Sequence, residues 1–176
     1  IEEGIAEGKL RVPMDQIDAV SAVVGIGAVK YADLRQNRSS DYQFDWDKMI
    51  SFQGNAGPYL QYAYARCRSI FTKGGIDESQ LPGASIELGA AEERALGAIL
   101  IRFADVVHQA AATSLPHVIC DHIYELARAF NSFYAACPVL DAEGATRQSR
   151  LALTSLTARQ LKRGLGLVGI AVVDRM

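Results

Sequence analysis

At 176 residues the chain has room for one well-buried domain with a short piece of a second. An apolar share of 49% beside 22% charged residues is that of a globular protein, and no apolar run is expected to reach the roughly 18–20 residues that a bilayer crossing needs. The net charge of −2 excludes an overtly basic nucleic-acid binder, so such a function has to come from how the charge is distributed.

The start, Ile1-Glu2-Glu3-Gly4, is acidic and has neither an apolar h-region nor an initiator Met, so no secretory leader is expected and the sequence reads as part of a longer protein. The first helix is predicted from about Asp15 to Leu34, where Ile17, Val20, Val24, Ala28, Tyr31 and Leu34 keep three-four spacing. Gly25 and Gly27 interrupt it at about 1 kcal/mol each against Ala, which points to a packing or functional reason. A loop follows at Gln36-Asn37-Arg38-Ser39-Ser40. Tyr42, Phe44 and Trp46 then alternate with polar residues, as in a short half-buried strand or extended segment. Asp45 or Asp47 can cap a short helix running through Phe52.

After the loop Gly54-Asn55-Ala56-Gly57, Pro58 opens a helix to about Thr72, because a proline costs nothing at a first helical position. Leu60, Ala63, Tyr64, Cys67, Ile70 and Phe71 form its core-facing stripe. The opposite stripe carries Tyr59, Tyr62, Arg66, Ser69 and Lys73. Two aromatics and two cations on an exposed face suit single-stranded RNA, with rings to stack on splayed bases and Arg to meet phosphate. They equally suit tyrosines that flank a core, or a patch that docks a protein partner. Further helices are predicted at about Glu92 to Phe103, Val106 to Ala112, Pro116 to Ala136 and Ala145 to Val168. In the third of these, Ile119, Cys120, Ile123, Leu126, Ala127 and Phe130 point inward, and His122 and Arg128 fall on the polar side. Gly169 is placed as the residue just past the last helix. The expected fold is therefore all-α, a helical bundle preceded by a short mixed segment.

Charge is unevenly spread: residues 76–105 carry six acids against two bases, and residues 145–175 carry six bases against one acid. A basic face on the bundle fits that pattern, and so does an ordinary solvated surface. No phosphate-cradling Gly-rich motif with its Lys is present, and Gly25-Ile26-Gly27 lies in a helix rather than after a strand. Cys67, Cys120 and Cys137 are odd in number and irregularly spaced, which argues for reduced thiols in a cytosolic setting. Cys120-Asp121-His122 points to different helix faces, so no metal site is expected.

Several stretches resemble the arginyl-tRNA synthetases: residues 24–34, Asn37-Arg38, Asp41-Tyr42-Gln43-Phe44-Asp45-Trp46-Asp47, and above all residues 54–66. Tyr124-Glu125-Leu126-Ala127 with Phe130-Asn131-Ser132-Phe133-Tyr134 is similar to that family's central bundle helix. Arg150-Leu151-Ala152-Leu153 and the ending from Gly169 to Met176 are similar to its C-terminus, and the matches keep family order.

The resemblance implies a C-terminal piece of a class I synthetase. Residues 1–51 would connect to the catalytic fold, and residues 52–176 would be the DALR-type anticodon-binding bundle. It implies anticodon contacts at Tyr59, Tyr62, Arg66 and Met176, and a loop at Phe52 to Ala56 that adjusts to tRNA. Lys73, Arg159 and Arg163 are taken as tRNA backbone contacts. The full enzyme would join arginine to its tRNA through an adenylate, using ATP and magnesium, in the cytoplasm and away from membranes. This part would hold no cofactor and no catalytic residue, since neither the HIGH-type nor the KMSKS-type motif occurs. An anticodon-binding bundle of another class I synthetase, such as a cysteinyl one, is the alternative. The sequence departs from the family pattern at Ala56-Gly57, at Gly166, and at Ala104, where a common proline is missing and the flanking helices are free to run on.

Overall fold

Apolar residues three and four apart turn into one buried face per helix, and the computed structural model, which describes residues 12–81, 83 and 85–176, resolves them into seven α-helices. These are α1 (Ile17–Leu34), α2 (Trp46–Met49), α3 (Gly57–Gly74), α4 (Ala91–Leu100), α5 (Phe103–Thr113), α6 (His117–Ala136) and α7 (Gly144–Leu167). Short 3-10 turns lie at Met14–Gln16 and Glu78–Gln80. Among the described residues there is no strand. Of the expected half-buried strand or extended segment through Tyr42, Phe44 and Trp46, no strand forms and the rings are not half-buried; residues 41–45 have no regular structure and Trp46 opens α2. The three rings are 43%, 50% and 62% exposed, because no strand or sheet among the described residues covers that segment. Asp45 caps α2 by accepting the Lys48 N–H at 3.1 Å, and the helix ends at Met49 rather than Phe52.

The bundle is organised around α6, which packs against α1, α3, α4, α5 and α7. Its Cys120, Ile123, Leu126, Ala127, Phe130 and Phe133 are wholly buried, joined by Leu60, Cys67, Ile70, Leu96, Leu153, Leu161 and Leu165 from the surrounding helices. Each such large side chain contributes about 1.5–3 kcal/mol through burial. Tyr31 of α1 sits in the same core, so the helix before residue 51 is built into the bundle rather than tethered to it. The polar placement of His122 is overturned: it is 3% exposed, under α5, with its ring 5.7 Å from Phe103. Burial and the Arg102 charge hold its pKa below the ordinary histidine value.

Gly27 answers the question its position raised. A Cβ there would lie 2.7 Å from Gln61 Nε2, and one on Gly57 would lie 2.8 Å from the Gly27 carbonyl. The pair lets the α1 and α3 backbones touch. Gly25 faces open space, and nothing in the structure explains it. The missing proline at Ala104 does not fuse α4 with α5, since the chain still turns at Ile101–Arg102. Residues 91–113 are apolar and long enough by composition for a membrane span, contrary to expectation, but the described structure divides them into two short helices, both packed on α6. A buried pair joins α4 to α7: Glu93 accepts the Ala90 N–H at 2.8 Å and Arg150 Nε at 2.7 Å. Burial opposes the Glu93 charge, yet these two donors together keep its carboxyl below the usual range.

Candidate nucleic-acid interface

Pro58 in the first turn starts α3, and Gly75 in a left-handed conformation (φ 59°) stops it, which fixes the register of both helix faces. The inner stripe is buried as the spacing requires. The outer stripe is only half exposed, because its side chains are engaged with each other and with α6. Arg66 lies over the Tyr62 ring with its guanidinium carbon 4.8 Å from the centroid. The same guanidinium donates from Nη1 to Asn131 Oδ1 at 2.7 Å. Asn131 in turn donates from Nδ2 to the Tyr59 hydroxyl at 2.7 Å. Half-burial raises the Tyr59 pKa above the ordinary tyrosine value. On the other side Phe52 meets Tyr62 edge to face at 6.4 Å. Tyr59, Asn131, Arg66, Tyr62 and Phe52 thereby make one continuous ledge of rings and charge across α3 and α6.

The chain end reaches this ledge by a pinned route. Gly169 (φ 72°) closes α7, with its N–H to the Gly166 carbonyl at 3.0 Å and the Ile170 N–H to that of Leu165 at 2.9 Å. Lys30 Nζ then donates to the Gly169 carbonyl at 2.7 Å. The fully buried Gln61 donates to the carbonyls of Ala171 at 2.8 Å and Val23 at 3.3 Å. Tyr64 donates its hydroxyl to Asp174 Oδ1 at 2.8 Å, and burial together with that carboxylate pushes its pKa up to about 12. Arg68 bridges Asp174 and Glu78. Met176 finally packs, 8% exposed, in a small cluster with Val12, Val20, Val24 and Ala65, against which Phe52, Tyr62 and Val173 are layered.

The structure therefore brings Tyr59, Tyr62, Arg66 and Met176 together, and it does not bring the three outer cations to them. Lys73 is exposed in the last turn of α3. Arg159 lines a separate groove with Glu78, Leu81, Ile86 and Leu156. Arg163 is exposed on α7. Among the described residues none of the three shares a hydrogen bond or ion pair with the ledge. Sequence reasoning missed Asn131, although an Asn among the apolar residues of a helix interior is itself a signal of a partner. It also missed the tail clamps Gln61, Tyr64, Arg68 and Asp174, which are separated from their partners by up to 110 residues and leave no local mark.

Among the described residues no three His, Cys, Asp or Glu side chains converge to hold a metal. The three cysteines are buried and unpaired; burial raises the Cys120 thiol pKa to about 12 and those of Cys67 and Cys137 above the ordinary value, so none is a ready nucleophile.

An all-helical bundle with an aromatic, cation-bearing ledge is the architecture expected of an anticodon-binding module. Comparison with known families agrees: the profile described as DALR anticodon binding domain matches residues 60–176, and the chain belongs to that family. The profile for the catalytic domain of class I (R) tRNA synthetases matches residues 3–46. The arginine–tRNA ligase of Edwardsiella ictaluri is 53% identical over 163 residues, covering 92% of this chain and 28% of that protein. That of Klebsiella pneumoniae strain 342 is 47% identical over 98% of this chain and 30% of its own length. Among solved structures, the arginyl-tRNA synthetase of Plasmodium falciparum superposes with a TM-score of 0.83 at 33% identity, over 91% of this chain and 28% of that one. The Thermus thermophilus enzyme gives 0.82 at 31%, over 90% and 28%. The chain thus spans under a third of the length of these relatives.

Proposed function

We propose that this chain is the tRNA-anticodon-binding part of an arginine–tRNA ligase, and that its ledge stacks splayed anticodon bases. The observation that carries the proposal is the continuity of Phe52, Tyr62, Arg66, Asn131 and Tyr59, with Met176 beside them. Rings held by neighbours offer flat faces with little conformational entropy left to lose, and a guanidinium already oriented over one ring is ready to meet a phosphate or a base edge. Tyr59, Tyr62, Arg66 and Met176 take the anticodon loop. Lys73, Arg159 and Arg163, being apart from the ledge, would follow the tRNA backbone. Residues 1–51 lead to the catalytic part, with α1 packed into the binding bundle that residues 52–176 complete. The full-length enzyme would attach arginine to its tRNA using ATP and magnesium, in the cytoplasm, with this part supplying binding and identity checking rather than bond making.

The test is Tyr62→Ala in a titration of the chain with an arginine tRNA anticodon stem-loop. Loss of one stacked base predicts binding about tenfold weaker, from a general value of about 1–3 kcal/mol per base. Circular dichroism should stay that of the parent. Unchanged affinity in a folded variant would remove the stacking role. Affinity should also fall with salt by roughly 0.7–0.9 log unit per neutralised phosphate for each tenfold rise. A protein-docking patch would respond far less.

A further inference from the structure

The ledge does not stop at Tyr59. On α6, Arg128 lies over the Tyr124 ring with its guanidinium carbon 5.8 Å from the centroid. This repeats the Tyr62–Arg66 arrangement of α3 at the same spacing, tyrosine followed four residues later by arginine. The two pairs are joined rather than merely alike. Tyr124 meets Tyr59 edge to face at 5.9 Å, and Tyr59 is tied through Asn131 to Arg66. Tyr124 rests its inner side against the main core while Arg128 stands exposed. Among the described residues the Arg128 guanidinium has no hydrogen bond and no carboxylate partner, so its charge is unspent.

We propose that Tyr124 and Arg128 form a second nucleotide subsite, in which Tyr124 stacks one further base of a single-stranded RNA loop and Arg128 takes its phosphate. Asn131 is the positioning residue that sets the two subsites in register. The subsite extends the ledge by one ring and one cation onto a second helix, so two helices grip one loop. It rests on the reading of the ledge as an RNA platform. Single-stranded RNA is favoured over a protein partner because Tyr62 and Tyr124 are each paired with a cation, as a base with its own phosphate demands.

The experiment is a titration of the chain with a seven-base-loop RNA hairpin carrying the arginine anticodon, and with hairpins made abasic at one loop position at a time. Tyr124→Leu keeps apolar packing on the core and removes the ring, while Tyr124→Phe restores the ring without the hydroxyl. Tyr124→Leu should weaken binding by about tenfold and Tyr124→Phe should restore it to within about twofold. One abasic position, different from the position that silences Tyr62→Ala, should erase the Tyr124→Leu effect. Arg128→Ala, at an exposed site, should flatten the slope of log affinity against log salt by about 0.7. If Tyr124→Leu and Arg128→Ala bind as the parent does while Tyr62→Ala is weakened, the second subsite is wrong and the ledge stands. If Tyr62→Ala is also unaffected, the platform reading fails and the second subsite falls with it. A loss for Tyr124→Leu that Tyr124→Phe does not restore, or that every abasic hairpin shows equally, marks a structural role and overturns the proposal.

Discussion

Tyr62 and Tyr64 stand two residues apart on α3 and are put to opposite uses. Tyr64 is buried and its hydroxyl is committed to Asp174, so it holds the chain end in place. Tyr62 is half exposed, with Arg66 over its ring and Phe52 meeting it edge to face, and its hydroxyl is free of any protein partner among the described residues. Residue type alone does not separate them, because both are tyrosines on one helix in one sequence match. What separates them is helix phase and partner: one ring is buried and tied to the tail, the other is half exposed on the outer face. The inner face of α3 should therefore answer to stability measurements, and the outer face to binding measurements.

The largest expected effect lies on the inner side. Phe130→Ala empties a fully enclosed site on the central helix, and should lower the unfolding free energy by about 3–5 kcal/mol in a urea titration. Next comes the helix crossing. Gly57→Ala pushes a methyl to 2.8 Å from the Gly27 carbonyl and 3.1 Å from the Ala28 Cα, and should cost about 1–3 kcal/mol as α1 and α3 are forced apart. Both changes should leave the preference among RNA loops unaltered in whatever fraction stays folded. A variant that keeps its stability but loses its preference would break the division between the two faces.

On the outer side the effects are smaller in stability and visible in binding. A short tag appended after Met176 should weaken stem-loop binding by about severalfold, since the buried end sits against Tyr62 and Phe52. Equal affinities with and without the tag would detach the chain end from the ledge. The smallest effect concerns His122. Its folded pKa is depressed by burial, so the unfolded chain takes up a proton near the ordinary value of about 6.5 that the folded chain resists. The stability from neutral His122 is thus present above about pH 6.5 and is lost as pH falls below it. Thermal scans between pH 7.5 and 5.5 should show that decline, and His122→Leu should flatten it. An unchanged slope in that variant would place the titration elsewhere.

Much of this was legible in the sequence, and the reasons for the gaps are physical. Three-four spacing placed the buried face of every long helix, because burial alone decides those positions. The same periodicity misassigned His122, since a histidine on a mostly polar stripe looks solvated until a neighbouring helix covers it. Alternation suggested a strand or extended segment through Tyr42, Phe44 and Trp46, but a strand needs a partner and the described residues offer none there. The stripe of Tyr59, Tyr62 and Arg66 was readable on α3. Asn131, which ties it to α6, was not, because its partners lie 65 and 72 residues away. Hydrogen bonds at that separation leave no periodic trace.

The most direct test of the account is a pair of titrations of this chain, one with the arginine tRNA anticodon stem-loop and one with the same stem-loop changed at the central anticodon base. The ledge account predicts tighter binding of the arginine loop by about tenfold, the worth of one well-placed base. Equal binding of the two loops by a folded chain would contradict it, and would leave the Tyr59–Asn131–Arg66 bridge as a device of packing alone.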